Sequence, residues 1–312
     1  MTNISVIVPV YNSESTLEAL VERLDVVLQE ISEEYEVILV NDGSSDRSWQ
    51  IISELANEND WLRGICLMRN YGQHNALLAG IRQAKYPVVV TLDDDLQNPP
   101  EEIPKLLSKY LEGFDVVFGK PDKEQHKVWR NLASQVSKMV LKRAMGSEVA
   151  RNVSAFRVFR TSLREAFTDY LGPFVSIDVL LTWGTTRFAA IPVRHEPRAI
   201  GTSSYTLAKL MTHALNMMTG FSVVPLQFAS WVGFVLTLFG FGILVYVVGR
   251  YLIQGAVVQG FAFLASIIAI FSGAQLFSLG ILGEYLARMH FRMMNRPAYV
   301  IRENDHRGSK ES

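Results

Sequence analysis

The sequence predicts an α/β domain with a mostly parallel sheet, followed by two transmembrane helices. Three observations support this fold class. The first two-thirds of the chain alternates short β-rich runs with helical patterns, which is typical of a parallel sheet covered by helices. Polar loops follow the predicted strands, at the carboxyl ends where such sheets bind ligands. The last third contains two long stretches almost without charge.

Four strand–helix units are predicted in the first 100 residues. Ile4–Val10 is β-rich and predicts the first strand, and Ser13 is the candidate cap of a helix with apolar positions from Leu17 to Val27. The other strands are predicted at 35–40, 62–68 and 87–92, and the other helices run through Ala56 and from about 73 to 84. Because parallel strands share one carboxyl edge, the loops after them should lie together.

Three consecutive aspartates, Asp93, Asp94 and Asp95, stand where the fourth strand ends. Like charges so close repel unless a cation lies between them, and carboxylates with room for waters and phosphates suit Mg²⁺ or Mn²⁺. Successive side chains leaving a strand alternate in direction, so Asp93 and Asp95 can share one face while Asp94 points elsewhere. The pattern predicts a divalent-cation site, and a solvated acidic turn is the alternative.

Composition limits the functional classes. A formal net charge of -1 argues against a nucleic-acid binder, which would carry a basic excess. Cys66 is the only cysteine, so one chain cannot build a disulfide framework or a cysteine metal cluster. A hydrophobic content of 49% favours membrane association. The N-terminus lacks the basic region and cleavage site of a signal peptide.

Four loop segments in this order resemble family 2 glycosyltransferases of the GT-A fold. They are Val-Pro-Val-Tyr-Asn at 8–12, Val-Asn-Asp-Gly-Ser-Ser-Asp at 40–46, Arg-Asn-Tyr-Gly-Gln-His at 69–74 and Asp-Asp-Asp-Leu-Gln-Asn-Pro-Pro at 93–100. Within that family the chain is similar to the polyprenyl-phosphate glycosyltransferases. The likeness runs from Ile4 to about Pro297 and implies a GT-A (Rossmann-like) catalytic domain.

The resemblance implies a nucleotide-sugar donor of the UDP or GDP type and a Mg²⁺ or Mn²⁺ cofactor. Asp93 and Asp95 match the acidic positions of the family's Asp-x-Asp motif, so they are the predicted metal ligands, with Asp95 also counted as catalytic. The positions predicted to contact the donor or the cofactor are Pro9, Tyr11, Asn12, Asp42, Arg69, Asp94 and Gln97. Taken alone, each of these loops could be an ordinary turn or helix cap.

A downstream segment matches the family's Arg-x-x-Gly-x-Ser-x-Tyr pattern at Arg198, Gly201, Ser203 and Tyr205. Arg198 is expected to pair with a phosphate, because its planar guanidinium donates paired charged hydrogen bonds. Gly201 would let the backbone approach the ligand, and the two hydroxyl groups can donate to phosphate oxygens. A flexible linker before a helix is the alternative.

The segment before Arg157 departs from the family pattern. The family usually carries acidic residues five and two positions before this arginine, where the chain has Asn152 and Ala155. That puts a carboxylate base in doubt, but a phosphate monoester with a second pKa near ~6 is already an ionised nucleophile at neutral pH. Asn152 is therefore expected not to abolish transfer. Arg157 is expected either to hold a phosphate or to form a structural salt bridge.

Two membrane spans are predicted, at about 228–248 and 261–282, each long enough for ~30 Å of hydrocarbon. Arg288, Arg292 and Arg296 follow the second span, whereas the connector 254–259 has no charge, so both ends are expected in the cytoplasm. The predicted domains are a catalytic domain at 1–224, a membrane region at 225–290 and a cytoplasmic tail at 291–312. Segments 127–145 and 205–221 have the pattern of helices lying on a membrane surface.

Together these features predict an integral enzyme of the cytoplasmic membrane. It would move one sugar from a nucleotide donor to a polyprenyl phosphate, of undecaprenyl or dolichyl type, with inversion as in the family. The alternatives are a catalytically inactive homologue that binds lipid or assembles with a partner, and a processive polysaccharide synthase. The second is disfavoured, because no Gln-x-x-Arg-Trp motif is present. Oligomers are common among similar enzymes, but no motif fixes a subunit number.

Overall fold

The computed structural model describes residues 2–121, 152–172, 175–196, 224–254, 260–294 and 296–305. The chain divides into two compact units. One comprises residues 1–210 with 295–312, and the other comprises residues 211–294. The two predicted surface helices, 127–145 and 205–221, lie outside the described residues.

The first unit is built on one mixed sheet, in which eight strands are described. They are β1 Ile4–Val10, β2 Tyr35–Asn41, β3 Leu62–Leu67, β4 Val88–Thr91, β5 Val116–Pro121, β6 Arg157–Arg160, β7 Phe188–Val193 and β8 Ile301–Asp305. Their order across the sheet is β7-β5-β6-β4-β1-β2-β3-β8. The pairs β1–β2, β1–β4, β2–β3 and β5–β7 are parallel, whereas β6 and β8 run antiparallel to their neighbours.

Helices cover both faces of this sheet, as the alternating pattern predicts. They are α1 Leu17–Ile31, α2 Ser48–Glu58, α3 Gln73–Gln83, α4 Ile103–Leu111 and α5 Ile177–Gly184, with 3-10 helices at Pro100–Glu102 and Thr161–Phe167. The apolar face of α1 is buried against β1 and β2 in the core, and Leu20 and Leu24 are fully inaccessible. The four predicted strand–helix units are confirmed.

Ser13 does not cap α1, contrary to the sequence expectation. The helix begins at Leu17 after Thr16, which makes no side-chain capping bond. Instead the Ser13 hydroxyl donates to Asp94, and its backbone N–H donates to Oγ of Ser48 at 2.9 Å. Ser13 is not at the cap position, because the helix begins four residues after it.

The chain returns to the sheet after the second long apolar helix. β8 pairs antiparallel with β3, so that Cys66 faces Glu303. Trp49 Nε1 donates to Glu303 at 3.0 Å, and the Met68 N–H donates to the Val300 carbonyl at 2.9 Å. The sequence predicts a separate tail at 291–312, and this strand is not predicted because its residues are mostly polar.

The second unit contains two long helices, α6 Val224–Gln254 and α7 Phe261–Met293. Val224–Ile253 and Ile270–His290 are long and apolar enough to span a membrane, and most of their large apolar side chains are exposed in the structure. The helices contact each other at Gly240, where an added Cβ would lie 2.9 Å from the ring of Phe271. The predicted pair of apolar C-terminal helices is confirmed, and Glu284 pairs with Arg288 at 2.8 Å.

Candidate active site

The loops with the predicted site residues meet at one edge of the sheet. β1, β2 and β4 are parallel neighbours, so the loops after Val10, Asn41 and Thr91 leave at the same edge. β6 is antiparallel to β4 with Thr91 opposite Arg157, which brings the first residue of β6 to this edge as well. Sheet topology therefore gathers residues as distant in sequence as Tyr11 and Arg157.

Asp94 ties the β4 loop to the β1 loop. One oxygen of its carboxylate accepts the backbone N–H of Tyr11 at 3.1 Å and the hydroxyl of Ser13. Asn12 next joins the β1 loop to the β2 loop, because its Oδ1 accepts the N–H of Ser45 at 2.8 Å. Asn12 has a positive φ of 53°, a conformation that asparagine tolerates better than most residues. The loops after β1, β2 and β4 are thus bonded to one another.

Asp42 fixes the β3 loop. Its side chain is buried, and its two oxygens accept the backbone N–H groups of Tyr71 at 2.7 Å and Gly72 at 2.8 Å. Burial raises the pKa of Asp42 to about 6, although the two hydrogen bonds favour the charged form. The adjacent Gly43 has a φ of 67°, and a Cβ there would lie 2.6 Å from the backbone of Arg69, so this approach requires glycine.

Asp93 and Asp95 form the acidic part of the site. Burial, followed by the charges of Asp95 and Asp94, raises the pKa of Asp93 to about 7, while Arg157 and a hydrogen bond from Gln73 act in the opposite direction. Oδ1 of Asp93 accepts Nε2 of Gln73 at 2.5 Å, at the start of α3. Asp93 and Asp94 therefore face different loops, as strand alternation predicts.

The backbone after Asp95 is in an unusual conformation. Leu96 has a φ of 60°, which is rare for a bulky residue, and the N–H of Gln97 donates to Oδ1 of Asp95 at 3.2 Å. Such conformations are concentrated at functional sites. The carbonyl of Gln97 accepts the N–H of Glu196 at 2.9 Å, so the chain two residues before Arg198 lies against this loop.

Arg157 is almost completely buried, with 1% of its side chain exposed. Its Nε donates to Oγ1 of Thr91 at 3.0 Å, and its Nη1 forms an ion pair with Asp178 in the first turn of α5. The structure thus contains the salt bridge that the sequence analysis gave as one of two roles for Arg157. Asn152 and Ala155 lie on the segment leading into β6, and the Ala155 carbonyl accepts Oγ1 of Thr91 at 2.7 Å.

The other predicted residues differ in accessibility. Tyr11 is 51% exposed, and Arg69 is exposed with its guanidinium 4.6 Å from the centre of the Tyr71 ring. Pro9 is buried within β1, opposite Val40, and Gln97 is partly buried. Arg198, Gly201, Ser203 and Tyr205 lie outside the described residues.

Three residues of this edge were not predicted as site residues, namely Ser13, Gln73 and Asp178. Gln73 stands inside the Arg-Asn-Tyr-Gly-Gln-His segment, so its place after a strand could have indicated it. Asp178 belongs to a short helix 83 residues after Asp95, and no local pattern connects the two. Its role becomes visible only through the ion pair with Arg157.

The donor set fits a divalent cation shared with a substrate. In the described part of the chain, no three His, Cys, Asp or Glu side chains converge as a protein-only metal site would require. Mg²⁺ typically takes one or two carboxylates and completes its shell with waters and substrate phosphates. Burial, followed by the charges of Asp95 and Asp94, raises the pKa of Asp93, so these partly buried carboxylates form an incomplete ligand set that an added cation would stabilise.

A family model for glycosyl transferase family 2 matches residues 5–168, which include the loops after β1 to β4. The chain belongs to glycosyltransferase family 2. It is 36% identical over 304 residues to an undecaprenyl-phosphate 4-deoxy-4-formamido-L-arabinose transferase of Pectobacterium carotovorum, covering 96% of this chain and 93% of the relative. The Proteus mirabilis protein of that name is 37% identical over 306 residues, covering 97% and 94%. The predicted family and its polyprenyl-phosphate group are confirmed.

Solved structures place the family 2 chain in the GT-A fold. Glucosyl-3-phosphoglycerate synthase from Mycobacterium tuberculosis, in complex with Mn²⁺, UDP and phosphoglyceric acid, aligns with a TM-score of 0.53. The alignment covers 70% of this chain and 76% of the synthase at 18% sequence identity. A complex of the same synthase with Mn²⁺ and UDP-glucose also gives a TM-score of 0.53. At this identity the likeness concerns the fold.

Proposed function

We propose that this glycosyltransferase moves one sugar from a nucleotide-sugar donor to a polyprenyl phosphate, with inversion and with a divalent metal ion at Asp93 and Asp95. The observation that carries the proposal is the pair of carboxylates at the edge where the β1, β2 and β3 loops meet. The relatives named as undecaprenyl-phosphate sugar transferases support the acceptor class. The Mn²⁺ and UDP bound by the synthase with the same fold support the metal and a UDP-type donor.

The exposed side chains around the carboxylates suit a nucleoside diphosphate. Tyr11 offers an open aromatic ring for the base, and Arg69 offers a charged donor for phosphate oxygens. Asp42 holds the β3 loop so that Arg69 stays at the edge. A divalent cation bound by Asp93 and Asp95 would neutralise the charge that develops on the departing diphosphate.

The acceptor accounts for the missing carboxylate base. A lipid phosphate is already ionised at neutral pH, so Asn152 and Ala155 need not remove a proton. Arg198, Gly201, Ser203 and Tyr205 would hold this phosphate. The hydrogen bond from Glu196 to Gln97 supports that role, because it keeps the chain before Arg198 beside the aspartate loop. Close positioning of two bound reactants supplies much of the rate in such a transfer.

The two apolar helices make this a membrane protein, and we place its catalytic unit and both termini on the cytoplasmic side. Arg288, Arg292 and Arg296 near the end of α7 support this orientation, because cations are retained on the cytoplasmic side. Nucleotide sugars and the lipid phosphate would then meet at the inner surface of the cytoplasmic membrane.

The test is transfer by the purified full-length chain in detergent, with a panel of nucleotide sugars and undecaprenyl phosphate, followed by mass spectrometry. We expect a single-sugar lipid product that requires Mn²⁺ or Mg²⁺, with the opposite anomeric configuration by NMR. Asp95→Ala should abolish metal-dependent transfer, while Asp115→Asn, at the other end of the sheet strands, should retain it. Lipid binding without transfer of any sugar would instead favour an inactive homologue.

Asn152 provides a second test of the same proposal. Because the lipid phosphate needs no base, the wild-type chain should be active with Asn152 and Ala155 as they stand. Turnover that appears only after Asn152→Asp or Ala155→Asp would contradict this part of the mechanism. The rates of the three proteins, measured with the same donor and lipid, decide the point.

A further inference from the structure

Asp178 is held in place by two contacts at the start of α5. It lies in the first turn of α5, its side chain is 15% exposed, and it forms the ion pair with the buried Arg157. The N–H of the preceding Ile177 donates to Nδ1 of His74 at 3.3 Å. This bond ties the start of α5 to the start of α3, the helix whose Gln73 reaches Asp93.

Arg157 pairs with Asp178 and lies at the same edge of the sheet as the proposed metal-site carboxylates. It stands opposite Thr91 in the sheet, two residues before Asp93, and its Nε bonds to Thr91. Side chains two positions apart along an extended chain share one face, so Asp93 follows Thr91 on the side where Arg157 lies. One buried guanidinium is therefore within the influence of two carboxyl groups, on α5 and after β4.

A buried guanidinium requires an anionic partner, because burying an unpaired charge is very costly. The segment Asn152–Phe156 that leads to Arg157 contains no acidic residue, so its partner has to come from elsewhere. If Arg157 paired with Asp93, it would occupy oxygen atoms that a cation needs, and its charge would repel that cation. The bond to Asp178 satisfies Arg157 without using Asp93.

We propose that Asp178 is a positioning residue for the metal site: by pairing with Arg157 it keeps the guanidinium off Asp93, so that Asp93 and Asp95 remain open to a divalent cation. This inference rests on the proposed function, since it presupposes metal binding at the two aspartates. It adds a residue outside the four sequence segments that identify the family. Asp178 acts through Arg157 and does not need to touch the metal or the substrate.

The test measures Mn²⁺ affinity by electron paramagnetic resonance of free Mn²⁺ during titration of the full-length chain in detergent, in the presence of UDP, whose phosphates complete the ligand set. Asp178→Asn should raise the Kd for Mn²⁺ by about tenfold or more, the usual effect of losing a residue that supports a metal ligand. The double variant Arg157→Met with Asp178→Leu removes both charges and should restore the Kd toward the wild-type value. Such apolar replacement of a buried ion pair is usually compatible with folding.

Asp115→Asn is the matched control. Asp115 is 17% exposed and pairs with Arg160 at 3.6 Å, at the end of β6 away from the aspartates. Asp115→Asn removes the carboxylate that pairs with Arg160, and Arg160 lies on the same strand as Arg157. A general weakening of the sheet would therefore appear in both Asp115→Asn and Asp178→Asn. The proposal expects the Mn²⁺ Kd of Asp115→Asn to equal that of the wild type.

Each outcome decides the proposal. An unchanged Kd in a folded Asp178→Asn protein overturns it, and so does a double variant that binds Mn²⁺ as weakly as the single variant. If Asp178→Asn does not fold, the double variant decides alone, since the proposal requires it to bind Mn²⁺. If instead the wild type shows no Mn²⁺ binding that Asp95→Ala removes, the proposed metal function fails, and not only the role of Asp178.

Discussion

Asp93 and Asp42 are both carboxyl groups with raised pKa values, but different groups approach them. Two backbone N–H groups meet the oxygens of Asp42, whereas Asp93 has two neighbouring carboxylates and one amide donor from Gln73. Asp42 is therefore satisfied by the protein itself. An added positive charge should stabilise the ionised form of Asp93 more than that of Asp42. Asp93 and Asp42 are therefore expected to respond differently to a metal ion.

Metal binding should depend on pH through Asp93. Its pKa of about 7 means that a proton competes with the metal below that pH, so the Mn²⁺ affinity of the wild type should rise as pH increases through about 7 and level off above it. Gln73→Met removes a hydrogen bond that lowers the pKa of Asp93, so the midpoint of this rise should move to higher pH. The measurement is Mn²⁺ titration by electron paramagnetic resonance, repeated from about pH 5.5 to about pH 8.5.

The control for this pH effect is Gln50→Met, on α2, whose amide donates to Glu54 at 2.7 Å on the exposed surface. It loses a comparable hydrogen bond far along the chain from Asp93 and should leave the midpoint where it is in the wild type. If the Mn²⁺ affinity of the wild type does not change between about pH 6 and about pH 8, the assignment of Asp93 as a metal ligand is contradicted.

Asp42 leads to a prediction about stability and donor affinity. Asp42→Asn places an amide NH₂ group against a backbone N–H donor, of Tyr71 or Gly72, and such an unsatisfied buried donor costs about 1–3 kcal/mol. The loop with Arg69 should loosen, so KM for the nucleotide sugar should rise more than kcat falls. Thermal unfolding and steady-state kinetics measure the two effects. A KM equal to the wild-type value would contradict the role of Asp42 in holding this loop.

At the scale of secondary structure, the elements that local sequence determines were predictable, whereas the pairing of residues far apart in the chain was not. The helices and strands up to β4 follow from hydrophobic spacing, and only the cap at Ser13 was wrong. β8 could not be predicted, because Ile301–Asp305 is polar and gains its conformation by pairing with β3. In the same way, the loops of the site were visible in the sequence, but the ion pair of Arg157 with Asp178 depends on how α5 packs.

β8 should stabilise the catalytic unit. It covers the edge of β3, which otherwise presents unpaired N–H and C=O groups to solvent, and an uncovered edge invites aggregation. A variant without residues 296–312 should unfold at a lower temperature in detergent than the full-length protein and should aggregate more. Deleting only 306–312, which retains β8, is the control and should behave as the wild type. Equal melting temperatures for the two deletions would show that β8 contributes nothing.

At the scale of the whole molecule, the chain combines a GT-A catalytic unit with a pair of long, mostly apolar helices. α6 carries one charged residue, Arg250, whereas Glu284, Arg288 and Arg292 lie in the last turns of α7. This asymmetry is what orients a helical hairpin in the membrane. The sequence was sufficient to predict the hairpin, because its signal is composition over about 20 residues, not long-range contact.

The orientation can be tested with the single cysteine of the chain. Cys66 is buried and is replaced by alanine to give a background without thiols. Gln259→Cys then places a thiol in the connector between the helices, and Ser312→Cys places one at the C-terminus. A membrane-impermeant maleimide should label Gln259→Cys in intact cells, because the connector is expected on the outer face, and should label Ser312→Cys only after permeabilisation. Labelling of Ser312→Cys in intact cells would contradict the proposed orientation. The C-terminus would then lie on the outer face, and the catalytic unit would be separated from cytoplasmic nucleotide sugars.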